Sequence, residues 1–178
     1  FFVVSAHREE NVDNLKKLEE LINTLNTIYE QYNLPIIFST HPRTKKQLNK
    51  IGTKPNKSIK FLEPLGFIDY VSLQKNSFLV LSDSGTISEE ASILNFRAIN
   101  IRSSHERPES MEEASVIMTD IKKGSILRGI NSSISQSKIE RNFEKVNDYS
   151  FANVSKKVER IILSYTDYIN HNVWKKEF

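Results

Sequence analysis

The sequence predicts a doubly wound α/β fold built on a parallel sheet. Two observations carry this reading. Short runs rich in β-branched and aromatic residues recur along the chain, and they are continuous rather than alternating, as strands covered on both faces are. Between them lie segments whose apolar residues repeat at helical spacing. Strand-helix alternation of this kind, joined by right-handed crossovers, builds a parallel sheet with helices on both faces.

The elements follow in order. FFVVS is a first strand ending at Ser5, and VDNLKKLEELINTLNTIYEQY places Leu15, Leu18, Leu21, Ile22, Leu25 and Ile28 on one helical face, giving strand, loop, helix. LPIIFST is the second strand and RTKKQLNKI a short helix; IKFLEP is the third strand and GFIDYVSLQKN its helix. FLVLSD is the fourth strand, followed by TISEEASILN, where Thr86 and Glu89 have the spacing of a capping box. RAINIR and SVIMTD supply the fifth and sixth strands. Beyond residue 120 the pattern turns to polar helices. KKGSILRGINSSISQ is one, and residues 150–178 hold an amphipathic terminal helix with Val154, Val158, Ile161, Ile162, Tyr165, Tyr168 and Ile169 on its apolar face. Without a repeat, a low-complexity tract or a linker, residues 1–178 read as a single domain.

A chain of 178 residues suits one core that buries roughly two thirds of the unfolded surface. Its 25 basic and 22 acidic residues are mixed along the chain, which points away from nucleic acid and is compatible with a small anionic ligand. No apolar run approaches the roughly 20 residues of a bilayer span, so no membrane partner is expected. With no cysteine, the chain has no disulfide, no thiol nucleophile and no cysteine-ligated metal, and a cytoplasmic setting fits. The opening FFVVSAH has neither Met nor the features of a signal peptide and starts inside a strand, so a piece of a longer polypeptide is expected.

Ligands of open parallel sheets bind outside the carboxyl ends of the strands. The polar loops SAHREEN, THPR, SDSGT and RSSHERPE all fall there, with three of the four histidines, His7, His41 and His105, among them. In SDSGT, Gly85 would allow a tight turn, and Ser84, Gly85 and Thr86 would bring hydroxyls and backbone N–H groups to a helix start that favours phosphate. A plain helix cap is the competing explanation. Glu90, one position past the capping-box glutamate, could accept from the vicinal hydroxyls of a sugar, and Arg107, set before Pro108, could offer a bidentate fork to phosphate. His7 could bind phosphate or move a proton. A Gly-rich dinucleotide fingerprint, a Walker motif, a zinc motif and a nucleophile elbow are all missing from the sequence.

As a set, SAHREEN, THPR, SDSGTISEEASILNFRAINIR and HERPESMEEASV resemble the C-terminal half of the non-hydrolysing UDP-N-acetylglucosamine 2-epimerases over roughly residues 1 to 130. Glu9 after His7-Arg8, and Thr86 after Asp-Ser-Gly, resemble the branch that forms UDP-N-acetyl-L-fucosamine for capsule or O-antigen. The resemblance implies a two-domain, glycosyltransferase-B-like fold of which this chain is the C-terminal, Rossmann-like, UDP-binding domain. It implies that Ser84 and Gly85 hold the diphosphate with the helix N-terminus, where Thr86 also binds the nucleotide, that Glu90 holds the ribose and Arg107 faces the phosphates, with Tyr70 near the uracil. His7 matches a histidine that assists at the diphosphate leaving group, while Arg8 and His41 match positions that touch a second UDP-sugar in some members. The implied reaction inverts carbon 2 by anti elimination of UDP and re-addition, with no redox cofactor or metal. The carboxylates for the carbon-bound proton are expected in an N-terminal domain of the same polypeptide, so this chain alone is expected to be inactive, and a homodimer is expected when full-length. Two other readings share the architecture: the nucleotide-sugar domain of a glycosyltransferase, and a non-catalytic UDP-sugar sensor. Whether the terminal helix, with Trp174 and Phe178, packs on this domain or crosses to the other one stays open at this level.

Overall fold

Strands β1 (Phe2–Ser5), β2 (Ile36–Ser39), β3 (Ile59–Leu62), β4 (Leu79–Ser82), β5 (Ala98–Ile101) and β6 (Ile117–Thr119) form one parallel sheet in the order β3-β2-β1-β4-β5-β6. The computed structural model describes residues 1–135, 137 and 140–176. The register pairs Ser5 with both Ser39 and Ser82, Ser39 with Leu62 and Ser82 with Asn100, so the carboxyl ends of five strands are level. The strand order reverses between β1 and β4, and the loops leaving those two strands depart to opposite faces, which opens the crevice where such sheets take ligands.

The strands hold because each face is covered. Phe2, Val4, Leu79, Leu81, Ile99 and Ile101 meet Leu21, Ile22, Leu25 and Ile28 of α2 (Leu15–Tyr32) and Ile126 and Ile130 of α7 (Lys123–Ile134). On the other face Val3, Val80 and Ala98 meet Ile87 and Ala91 of α5 (Thr86–Leu94), with Tyr70 and Leu73 of α4 (Phe67–Asn76) alongside. Full burial of each such side chain contributes about 1.5–3 kcal/mol. α7 lies close to the sheet: a Cβ added at Gly129 would sit 3.1 Å from Thr119 and 3.2 Å from Ile99. Edge strand β3 alternates between buried and more exposed residues.

Local chemistry sets the helix ends. The Asn14 side chain accepts from the N–H groups of Lys16 and Lys17 at the start of α2, and Asn33 ends it in the left-handed conformation at φ 49°. Asn95 ends α5 in the same way. Helix α3 (Pro42–Leu48) starts with Pro42 in its first turn, behind His41.

Three sequence expectations need correction. The SAHREEN and HERPE segments are not simple loops, since each contains a short helix, α1 (Glu9–Val12) and α6 (Pro108–Glu112). Thr86 is the first residue inside α5 rather than its cap, no side chain caps that helix, and Glu89 pairs with Arg107 instead, so the capping box does not form. Gly85 has φ −65°, an ordinary value, so its need is for space rather than for a special turn. The terminal helix α8 spans Val154–Asn172 and buries none of its residues: Ile161, Ile162, Tyr165, Tyr168 and Trp174 beyond it are exposed. Phe178 lies outside the described residues.

Candidate functional site

Asp83, directly after β4, is fully buried and holds the crevice together. Its own N–H donates to the Ser5 carbonyl at the end of β1. Its carboxylate accepts from the His7 N–H at 3.1 Å on both oxygens, from the Arg8 N–H at 2.9 Å and from Asn11 Nδ2 at 3.1 Å. Asn11 also donates to the Ile101 carbonyl, so the ends of β1, β4 and β5 are tied through two buried side chains. His7 Nδ1 lies 3.3 Å from Asp83 Oδ1, while the ring remains exposed.

Helix α5 begins immediately beyond. The first N–H groups of a helix lack intrahelical partners and carry the positive end of its dipole, and here they are those of Gly85, Thr86 and Ile87. The Ser84 and Thr86 hydroxyls stand 2.8 Å apart beside them. A Cβ on Gly85 would come within 3.2 Å of Glu106 Oε2 and 3.9 Å of Arg8, so side chains converge on this glycine. Arg8 reaches Glu106 at 3.1 Å, and Arg102, almost completely buried, reaches Glu10 at 3.2 Å and Glu106 at 3.1 Å. Hydrogen bonding to Arg102, with the nearby charge of Arg8, holds the Glu106 carboxyl below its ordinary pKa.

One turn into α5, Glu90 is half-buried and accepts from Gln74 Nε2 at 2.5 Å. Burial raises its pKa, and hydrogen bonds with Gln74 and Thr86 oppose that rise. Gln74 is itself fully buried, on α4. Tyr70, one turn earlier on α4, packs against the Val3 and Val80 face with its hydroxyl at Ser5; burial pushes its pKa up to about 12. Phe67, at the start of the same helix, is largely exposed. Arg107 Nε donates to Glu89 at 2.7 Å, and Tyr149 donates to Glu109 at 2.7 Å, which fastens α6 between α5 and the turn at Asn147–Tyr149.

The structure therefore brings His7, Arg8, Ser84, Gly85, Thr86, Glu90 and Arg107 to one edge, around the start of α5. Arg8 turns toward Gly85 and Glu106. His41 stands one strand further out, where its Nδ1 accepts from the Arg43 N–H at 3.3 Å as the N-cap of α3. Arg43 ion-pairs with Glu9 at 2.6 Å and with Asp13, closing that side of the crevice. Asp83, Asn11, Gln74 and Glu106 are the residues that sequence reasoning missed. The one signal for them was position, since Asp83, Asn11 and Glu106 sit inside the polar loops already singled out, while Gln74 lies on α4 with no such signal.

A helix start with free N–H groups, two hydroxyls, two arginines and a histidine suits a phosphate, and a carboxylate one turn away suits hydroxyl groups. Along the axis, Thr86 to Glu90 spans about 6 Å. Among the described residues, no group of three or more histidines and carboxylates is placed to hold a metal ion, and no helix is long and apolar enough to cross a membrane.

Comparison with known proteins gives this arrangement a context. The sequence profile described as UDP-N-acetylglucosamine 2-epimerase matches residues 1–163. A UDP-N-acetylglucosamine 2-epimerase of Methanocaldococcus jannaschii is 40% identical over 134 residues, covering 73% of this chain and 37% of that protein. The structure of the Rickettsia bellii UDP-N-acetylglucosamine 2-epimerase superposes with a TM-score of 0.86 at 46% identity, over 98% of this chain and 47% of that one. The Methanocaldococcus jannaschii enzyme in complex with UDP-GlcNAc and UDP superposes with a TM-score of 0.83 at 34% identity, over 92% of this chain and 45% of that one. This chain thus spans less than half the length of each of these relatives.

Proposed function

The chain belongs to the UDP-N-acetylglucosamine 2-epimerase family, and from that premise we propose that it is the UDP-binding half of a UDP-N-acetylhexosamine 2-epimerase. One observation carries the proposal: the open start of α5 and the Glu90 carboxylate lie on the same helix, one turn apart, beside His7 and Arg107. The diphosphate sits on the N–H groups of Gly85 and Thr86 with the Ser84 and Thr86 hydroxyls, Glu90 accepts from the ribose hydroxyls, and Arg107 exchanges Glu89 for a phosphate oxygen. Tyr70 supports the uracil end from below.

The reaction is an elimination and its reversal. A base removes the proton from carbon 2, the bond from carbon 1 to the phosphate oxygen breaks with its electron pair going to UDP, and a 2-acetamidoglycal forms. A proton then enters carbon 2 from the other face as UDP returns to carbon 1. His7 assists the leaving oxygen. The carboxylates that handle the carbon-bound proton belong to an N-terminal domain in the same polypeptide, so this chain alone does not turn over. The exposed apolar face of α8 is covered by that domain, in a full-length homodimer working in the cytoplasm. Arg8 and His41 border the place where a second UDP-sugar could regulate, a role that the Glu9–Arg43 pair closes from one side. Glu9 and Thr86 favour the branch that supplies precursors of capsule or O-antigen.

The test is to incubate the full-length protein with UDP-N-acetylglucosamine in D2O and follow the sugar by proton NMR. Formation of the 2-epimer with deuterium at carbon 2 is the expected result, with no conversion by residues 1–178 alone. A full-length protein that exchanges no proton at carbon 2 of any UDP-N-acetylhexosamine contradicts the proposal.

A further inference from the structure

We infer that Asp83 is a positioning residue for the leaving-group step, acting through His7 by fixing which ring nitrogen carries the proton. The inference rests on the epimerase reading for its catalytic consequence, while its structural content stands apart from it.

Asp83 is fully buried, and an ionised carboxylate can only accept hydrogen bonds, never donate them. Three neutral N–H donors, the backbones of His7 and Arg8 and the amide of Asn11, converge on it at 2.9–3.1 Å. With His7, Arg8 and Asn11 all donating, both carboxylate oxygens act as acceptors. The contact left over is His7 Nδ1, 3.3 Å from Oδ1. The 3.3 Å contact becomes a hydrogen bond with a small turn of the ring, and an acceptor there assigns the hydrogen to Nδ1. Nε2, across the ring, is then the nitrogen that takes or gives a proton, and the ring is 43% exposed toward solvent. Because the same carboxylate also holds the His7 backbone, ring and main chain are located by one group, and the imidazole can reorient only by giving up the Nδ1 contact.

The consequence for the reaction follows. When the bond from carbon 1 to phosphate breaks, negative charge grows on the UDP oxygen. A protonated His7 donates from Nε2 to that oxygen, and the positive ring is stabilised from behind by Asp83. When UDP returns, the oxygen forms its bond to carbon 1 and the hydrogen stays with Nε2. Asp83 neither touches substrate nor changes its own protonation.

The test combines spectroscopy with kinetics. In the 15N-histidine-labelled chain, with the His7 signals identified by their loss in His7→Gln, long-range 15N–1H correlation is expected to place the hydrogen of the neutral ring on Nδ1. A hydrogen found on Nε2 overturns the inference, whatever the variants do. In full-length protein, Asp83→Asn keeps a side-chain oxygen for the backbone N–H groups but can turn an NH2 toward the ring. It is expected to move the hydrogen to Nε2 and to lower kcat at least about ten-fold, with KM changed less than about three-fold. In the double variant with His7→Gln it should add little to the loss from His7→Gln alone. Unchanged kcat, or fully additive losses, overturns it. If Asp83→Asn fails to fold, the ring assignment in the unaltered chain decides. A full-length protein without epimerase activity defeats the proposed function but leaves the tautomer measurement to stand or fall by itself.

Discussion

The Gln74 amide donates to Glu90 Oε2 across 2.5 Å, from a side chain that is itself fully buried on the neighbouring helix. Glu90 is thereby aimed from behind. The other end of the amide, Oε1, is buried with no hydrogen-bond partner among the described residues, so a leucine would remove an unsatisfied acceptor along with the donor. Gln74→Leu is expected to leave the melting temperature nearly unchanged while weakening UDP binding by up to about ten-fold, about 1.4 kcal/mol, the size of one hydrogen bond lost. Parallel melting curves and calorimetric titrations check both halves.

Glu90 makes stability depend on pH. Burial holds its carboxyl above the ordinary glutamate value in the folded chain. The folded state therefore binds more protons than the unfolded state across that window, and stability falls as pH rises from the ordinary value through the raised one. Glu90→Gln is expected to match the wild type at pH 4 and to melt higher at pH 7. The gain stays below about 1 kcal/mol, because a half-exposed carboxylate is screened by solvent. Equal melting temperatures at both values would show that the carboxylate is not under strain.

Gly85 is predicted to matter for access rather than for backbone shape. Its φ of −65° suits any residue, yet an added Cβ would stand 3.2 Å from Glu106 Oε2. Glu106 is exposed and can shift, so Gly85→Ala should cost less than about 1 kcal/mol of stability. The same methyl group would occupy the place proposed for the phosphate, and UDP binding is expected to fall at least ten-fold, about 1.4 kcal/mol. Binding at wild-type strength would move the phosphate away from the start of α5.

The terminal helix gives a test of domain organisation. Ile161 and Ile162 of α8 are exposed in this chain. Substituting both with glutamate should leave the melting temperature of residues 1–178 unchanged. In the full-length protein the same change should destabilise by about 2 kcal/mol or more, since two apolar side chains lose their cover. Equal tolerance in both would mean that nothing covers this face.

The parts legible in the sequence are those whose causes are local or periodic. Runs such as FLVLS and RAINI announce buried strands because short continuous stretches of apolar residues dominate them, and β4 and β5 form there. Strand ends then locate the polar loops, which is why His7, Ser84, Gly85, Glu90 and Arg107 could be named beforehand. Long-range causes stayed hidden. Helix α1 has four residues and no periodicity of its own; Asn11 within it is held by Asp83 and by the Ile101 carbonyl, 72 and 90 residues away. The Thr86–Glu89 spacing looked like a cap because nothing local reveals that Arg107, 18 residues on, takes the glutamate. Asp83 and Gln74 draw their roles from partners on other elements, and residue type alone does not distinguish them from ordinary polar positions.

The most direct test of the central claim, that UDP binds at the start of α5, is a calorimetric titration of the full-length protein with UDP, repeated with Glu90→Ala and Arg107→Ala. The account predicts saturable binding that each substitution weakens by more than about ten-fold, about 1.4 kcal/mol. No binding at millimolar UDP, or binding that neither substitution disturbs, would contradict it.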